Sequence, residues 1–117
     1  MKYLVVDDSK LARLSLVKSL KINREEAEIF QATNGLEALE LMKQEHTDIV
    51  FLDLTMPHMD GYTVLPKLLE INANAKVVVV SADIQTKAKE RVIALGAQLH
   101  IQKPINADKM KEILDII

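Results

Sequence analysis

Residues 49–53 read Ile-Val-Phe-Leu-Asp. Four consecutive aliphatic or aromatic residues with no polar alternation, closed by a charge, fit a short strand covered on both faces. The same pattern occurs upstream at Leu4-Val5-Val6, closed by Asp7-Asp8, and downstream at Val77 to Val80, closed by Ser81. Two weaker runs, Ala27-Glu28-Ile29-Phe30-Gln31 and Gln98-Leu99-His100-Ile101, have the mixed composition of strands nearer a sheet edge. The intervening segments carry helical spacing. Ala38, Leu41 and Met42 share one face, as do Ala88, Val92 and Leu95, and then Met110, Ile113, Leu114 and Ile117. Ser9 and Asn34 suit helix N-caps, and Gly96 suits a helix C-terminus. Strand and helix thus alternate along the chain, which predicts an α/β domain with a five-stranded parallel sheet and helices on both faces.

Pro66 conflicts with this pattern inside the third helical segment. An interior proline removes a donor and clashes with the preceding turn, at a cost of roughly 3 kcal/mol. Two solutions are open: a helix that begins late, near Thr63, with Pro66 in its donor-free first turn, or a helix kinked at Pro66.

With 117 residues the chain has the size of one domain, residues 1–117, and should bury roughly two-thirds of its unfolded surface. Hydrophobic residues at 49% argue against disorder, and 15 basic against 17 acidic residues leave no footprint for nucleic acid. The absence of cysteine excludes disulfides, thiolate metal sites and a Cys nucleophile. The apolar runs are far below the roughly 20 residues that span a bilayer, and two aspartates interrupt the amino-terminal stretch where a signal peptide needs its apolar segment. The expectation is a soluble, cytoplasmic protein without membrane insertion.

In open parallel sheets, ligands bind beyond the carboxyl ends of the strands. There the sequence places Asp7-Asp8, Asp53, Ser81 and Lys103-Pro104. Two like charges about 4 Å apart repel by roughly 4 kcal/mol at an effective dielectric of 20, so three carboxylates converging on one rim call for a cation. Carboxylate oxygens without histidine or cysteine select Mg²⁺, with Mn²⁺ as the second choice. Lys103 supplies a fixed positive charge and Ser81 a hydroxyl donor. An aspartate between a metal and a lysine can act as nucleophile toward a phosphoryl group.

The motifs Val5-Val6-Asp7-Asp8-Ser9, Asp53-Leu54-Thr55-Met56-Pro57 with Met59-Asp60-Gly61, Ser81-Ala82 and Lys103-Pro104 resemble, in this order and spacing, the receiver domains of two-component response regulators, above all the single-domain chemotaxis type. The resemblance covers essentially the whole chain. It implies a flavodoxin-like, doubly wound domain in which Asp53 accepts a phosphoryl group from a histidine kinase or phosphotransfer protein. It implies Mg²⁺ ligation by Asp8, Asp53 and the main-chain carbonyl of Thr55, with Asp7 acting through water. Ser81 and Lys103 would hold phosphoryl oxygens, the Lys103-Pro104 bond would be cis, and Thr55 and Asp83 would tune loss of the phosphoryl group. The family's switching Tyr or Phe is replaced by His100, which is expected to turn inward as Ser81 moves. No residues follow the last helix for an output domain, so output is expected through the domain's own surface. By resemblance this is the face of the fourth helix, fifth strand and fifth helix, with Lys87, Lys89, Arg91, Lys109 and Lys111.

Three other readings stand beside this one. A Mg²⁺-dependent phosphohydrolase with an aspartyl nucleophile would want an acid two residues after Asp53, where the chain has Thr55. A non-phosphorylated interaction scaffold would not need Asp8, Asp53, Ser81 and Lys103 together. A flavin protein would want a phosphate cradle after the first strand, where Asp7-Asp8 repels phosphate. His46 and His58 lack a second ligand at metal spacing.

Overall fold

The computed structural model describes residues 1–56, 59–82 and 85–117. Its elements run β1 (Lys2–Val6), α1 (Lys10–Asn23), β2 (Glu28–Ala32), α2 (Gly35–Glu45), β3 (Ile49–Leu52), α3 (Gly61–Ile71), β4 (Lys76–Ser81), α4 (Thr86–Ala94), β5 (Leu99–Gln102) and α5 (Ala107–Ile116). All strand pairs are parallel, in the order β2-β1-β3-β4-β5. This is the doubly wound, flavodoxin-like arrangement that the resemblance implied. The three continuous apolar runs occupy the centre, where helices cover both faces, and the two mixed runs form the edges. The edge strands lie one residue later than the sequence suggested.

Side-chain alternation sorts the core into two layers. Leu4, Val6, Val50, Leu52, Val77 and Val79 face the side carrying Ala38 and Met42 of α2, Val64, Leu65 and Leu68 of α3, and Val92 of α4. Tyr3, Val5, Phe51, Val78 and Val80 face Leu16 and Leu20 of α1 and Met110, Ile113 and Leu114 of α5. The central strands are therefore packed on both faces, and their ends place the side chains that follow. No helix among the described residues is long and apolar enough to cross a membrane.

The helix ends follow their local chemistry. Ser9 Oγ accepts from the Ala12 N–H and Asn34 Oδ1 from the Glu37 N–H. After α4, Gly96 adopts φ +111°, with Gly96 N–H bonded to the Ile93 carbonyl and Ala97 N–H to that of Val92. That is the paired closure a glycine C′ residue permits. The late-start solution for α3 is overturned: Asp60 caps the helix by accepting from the Thr63 N–H at 2.9 Å, and the helix begins at Gly61. Pro66 lies inside it, so the Tyr62 carbonyl lacks its usual donor four residues on. Burial of Val64, Leu65 and Leu68 on the sheet offsets that loss.

Candidate functional site

The rim residues extend the sheet by one step beyond its strands. Asp7 N–H bonds to the Ala32 carbonyl at 3.1 Å, Asp53 N–H to that of Val6 at 3.0 Å, and Lys103 N–H to that of Ser81 at 2.9 Å. The backbones of Asp7, Asp53 and Lys103 are thus tied to neighbouring strands, and four strand ends carry the side chains to one place. Asp7, Asp53 and Ser81 are buried, whereas Asp8 is exposed. One carboxylate oxygen from each of Asp7, Asp8 and Asp53 lies within 4.8 Å of the others.

Lys103 answers two of these charges. Its Nζ lies 2.6 Å from Asp7 Oδ2 and 3.3 Å from Asp53 Oδ1. Burial opposes the charge on this ammonium, but the Asp7 hydrogen bond and the negative charges of Asp53 and Asp7 outweigh it, and the pKa is raised. Asp53 moves upward as well. Burial is the chief cause and the Asp7 charge adds to it, while Lys103 and the Thr55 N–H pull the other way without prevailing. Both oxygens of Asp7 are engaged, with Oδ1 accepting from the Ser9 N–H at 2.9 Å and Oδ2 from Lys103. Asp8 has no hydrogen bond or ion pair to its side chain among the described residues.

The donor set fits a hard divalent cation. Three carboxylates against one ammonium leave a surplus of two negative charges, no histidine or cysteine joins the cluster among the described residues, and the exposed Asp8 leaves room for the waters such an ion keeps. The approach of α3 to this site depends on Gly61. A Cβ there would meet the Asp53 carbonyl oxygen at 2.6 Å and Leu54 Cα at 2.8 Å, and the glycine N–H bonds to the Leu54 carbonyl at 3.0 Å. Beside the site, Leu54, Thr55, Met56, Asp60, Tyr62 and Ser81 line an open cleft of about 280 Å³.

A model of the response regulator receiver domain matches residues 3–115, nearly the whole chain. The protein belongs to that family. Chemotaxis protein CheY of Bacillus subtilis is 33% identical over 114 residues, covering 97% of this chain and 94% of the relative. Sporulation initiation phosphotransferase F of the same organism is 36% identical over 115 residues, covering 95% and 88%. A crystal structure of a CheX-CheY-BeF3-Mg complex from Borrelia burgdorferi superposes with a TM-score of 0.90 at 32% identity, covering 97% of this chain and 86% of that one. The chain is therefore a CheY-like receiver of two-component signalling, a class of signalling domain rather than of classical enzyme.

Within this receiver, Asp7, Asp8, Asp53 and Lys103 meet as the sequence suggested, and Ser81 stands at the end of the neighbouring strand. The Lys103-Pro104 bond is cis. Thr55 is exposed in the loop after β3 and lines the cleft next to Ser81. His100 pairs in register with Val79 and faces the same layer, because its neighbours Leu99 and Ile101 pack on the opposite one. Its Nε2 is buried without a hydrogen-bond partner among the described residues. Asp83 and His58 lie outside the described residues. Of the cations on the expected output face, Arg91 is engaged, its guanidinium stacked 3.8 Å from the centroid of the Tyr62 ring.

Sequence reasoning missed Arg13. Its Nη1 donates to the Asp7 carbonyl at 2.8 Å and its Nε to Gln31 Oε1 at 3.3 Å. The available signal was its place one turn after the cap Ser9, since side chains on a helix lean toward its N-terminus and a long one there reaches the preceding strand end.

Proposed function

We propose that this receiver accepts a phosphoryl group on Asp53 from a histidine kinase or phosphotransfer protein, in a Mg²⁺-dependent reaction, and signals through phosphorylation-dependent protein binding. The observation that supports this most directly is Lys103 Nζ held between Asp7 and Asp53 beside the unpaired Asp8. A buried carboxylate with a raised pKa is more basic, and so more nucleophilic, than one in water. An Asp53 oxygen attacks phosphorus, the bond to the donor's leaving atom breaks, and an acyl phosphate forms. Lys103 then exchanges its contact with the carboxylate for one with a phosphoryl oxygen, and the Ser81 hydroxyl donates to another. In this reading Asp8, Asp53 and the Thr55 main-chain carbonyl hold the metal, and Asp7 acts through water. Bound Mg²⁺, or Mn²⁺ in its place, supplies charge neutralisation for the transferring group.

Thr55 and Asp83 set the access of water to the acyl phosphate. Ser81 and His100 carry the change to the face of α4, β5 and α5, where the target binds through groups such as Lys87, Lys89, Lys109 and Lys111. The unpartnered His100 Nε2 supports a ring that gains a contact by moving. Likeness to CheY proteins favours chemotaxis as the pathway, and a cytoplasmic setting accompanies a kinase-coupled role. Incubation with acetyl phosphate and Mg²⁺ should add one phosphoryl group, located on Asp53 by mass spectrometry. Labelling at another residue, or undiminished labelling in Asp53→Asn, overturns the assignment. A pulldown from motile cells with beryllofluoride-treated and untreated protein tests the output, and an unchanged set of partners defeats the switch.

A further inference from the structure

Asp8 is the one carboxylate of the cluster whose side chain no other group holds among the described residues, so its position is inherited from its backbone. The peptide that joins Asp7 to Asp8 lies past the end of β1, where its carbonyl would have no partner in the sheet. Arg13 supplies that partner: Nη1 donates to the Asp7 carbonyl at 2.8 Å. The guanidinium is itself oriented, because Nε donates to Gln31 Oε1 on β2 at 3.3 Å. One end of the same residue, Asp7, is fixed by its N–H to the Ala32 carbonyl and by two contacts to its carboxylate. The other end of the peptide, which carries Asp8, depends on the guanidinium.

We propose that Arg13 is a positioning residue for the divalent cation, holding the Asp7–Asp8 peptide plane so that the Asp8 carboxylate stays beside Asp53. The proposal rests on the metal reading given above. Simple electrostatics predicts the opposite sign, because a positive charge near three carboxylates competes with a cation and its removal should tighten binding. Outer-shell partners that orient a ligand change metal affinity by factors of ten or more when removed, so the orienting effect should exceed the loss of one partly exposed charge.

The test is a Mg²⁺ titration without phosphodonor, followed through the amide resonances of Asp8 and Asp53, on wild type, Arg13→Ala, Arg13→Lys and Gln31→Ala, with thermal unfolding measured alongside. Arg13→Ala should weaken Mg²⁺ binding about tenfold, Arg13→Lys should recover most of it, and Gln31→Ala should weaken it about two- to threefold. Unchanged or tighter binding in Arg13→Ala overturns the proposal, as does a lowered melting temperature with unchanged affinity. Should Arg13→Ala fail to fold, Gln31→Ala decides, since Gln31 is exposed and its replacement frees the guanidinium without touching either aspartate. Failure of the wild type to bind Mg²⁺ instead removes the metal reading itself, and the Arg13 assignment falls with it.

Discussion

Two lysine–carboxylate groupings stand at opposite ends of the same sheet. At its amino end, Lys2 Nζ lies 3.1 Å from Glu45 Oε1, with the side chains 38% and 30% exposed. At its carboxyl end, Lys103 contacts Asp7 and Asp53, whose side chains are 5% and 7% exposed. The functional groups are the same and the distances similar; the difference is water. Lys2 simply gains from its partner, and its pKa rises mainly through the Glu45 hydrogen bond. Asp53 has a lysine 3.3 Å away and its pKa still rises, because burial and the Asp7 charge outweigh that neighbour. A carboxyl group displaced in the sense opposite to its cationic partner marks charge the fold leaves unresolved, and such groups concentrate at functional sites.

The largest effect expected from breaking this contrast is that of Lys103→Ala. It leaves Asp7 and Asp53 buried with no cation between them. Breaking a fully buried pair costs about 3–5 kcal/mol; with the ammonium side chain 28% exposed, a loss of roughly 2 kcal/mol is expected in metal-free buffer. Mg²⁺ should restore part of the stability, while coupling of phosphorylation to target binding stays lost. Urea denaturation with and without Mg²⁺ measures both parts. A loss near zero would put the two ends of the sheet in the same energetic class.

Asp53→Asn should shift stability the other way. Because the folded-state pKa of Asp53 is raised, its favourable contribution is complete below the ordinary aspartate range and disappears as pH rises through the raised value. At neutral pH without metal, the charged form is a burden that asparagine removes. The variant should therefore unfold at higher urea concentration than wild type at pH 7, with the difference shrinking as pH falls. Equal midpoints across the range would show that Lys103 already compensates the charge in full.

The contrast also explains what could be read from residue order. The rim was legible because Asp7, Asp53 and Ser81 directly follow apolar runs: four hydrophobic residues closed by Asp53 place that carboxylate at a strand end whatever the helices do. The strand edges were less so, since Glu28–Ala32 and Leu99–Gln102 mix polar and apolar residues and give no sharp boundary. Pro66 left two solutions open because its local penalty is plain in the sequence, whereas the burial of α3 that offsets it is a tertiary effect. Arg91 on Tyr62 and the approach of Gly61 to Asp53 join separate elements, and no local pattern carries them, whereas Arg13 on Asp7 had a local cue in its place one turn after Ser9.

A smaller effect is expected at His100, a half-buried residue of β5 whose Nε2 is buried without charge pairing. An unpartnered buried polar atom forfeits its hydration with nothing in return, so His100→Phe, which keeps a ring and removes the nitrogen, should stabilise the resting protein by about 1 kcal/mol. Phosphorylation-dependent target binding should survive in His100→Phe and weaken in His100→Ala if the ring conveys the switch. Destabilisation by His100→Phe would mean that Nε2 already has a solvent partner, and the rim would then hold one unresolved group fewer.

The smallest effect should come from the exposed pair. Lys2 and Glu45 keep far more of their hydration than the rim carboxylates, so the hydrogen bond replaces contacts with water at the cost of ordering two long side chains. Lys2 has a raised pKa, so whatever it contributes is present below the ordinary lysine range and lost only as pH climbs through the raised value, far above neutrality. Near pH 7 that contribution is therefore constant, and screening reduces it further: at 0.15 M salt the Debye length is about 8 Å, and the pair has solvent on its open side. Lys2→Ala should leave the urea midpoint at pH 7 indistinguishable from wild type in 0.15 M salt, and Lys2→Glu should lower it only at low ionic strength, where the new charge faces Glu45 and Asp48 unscreened. A measurable loss in Lys2→Ala at high salt would mean that the lysine stem covers the sheet end, a packing role that Lys2→Met would preserve and the ion pair would not explain.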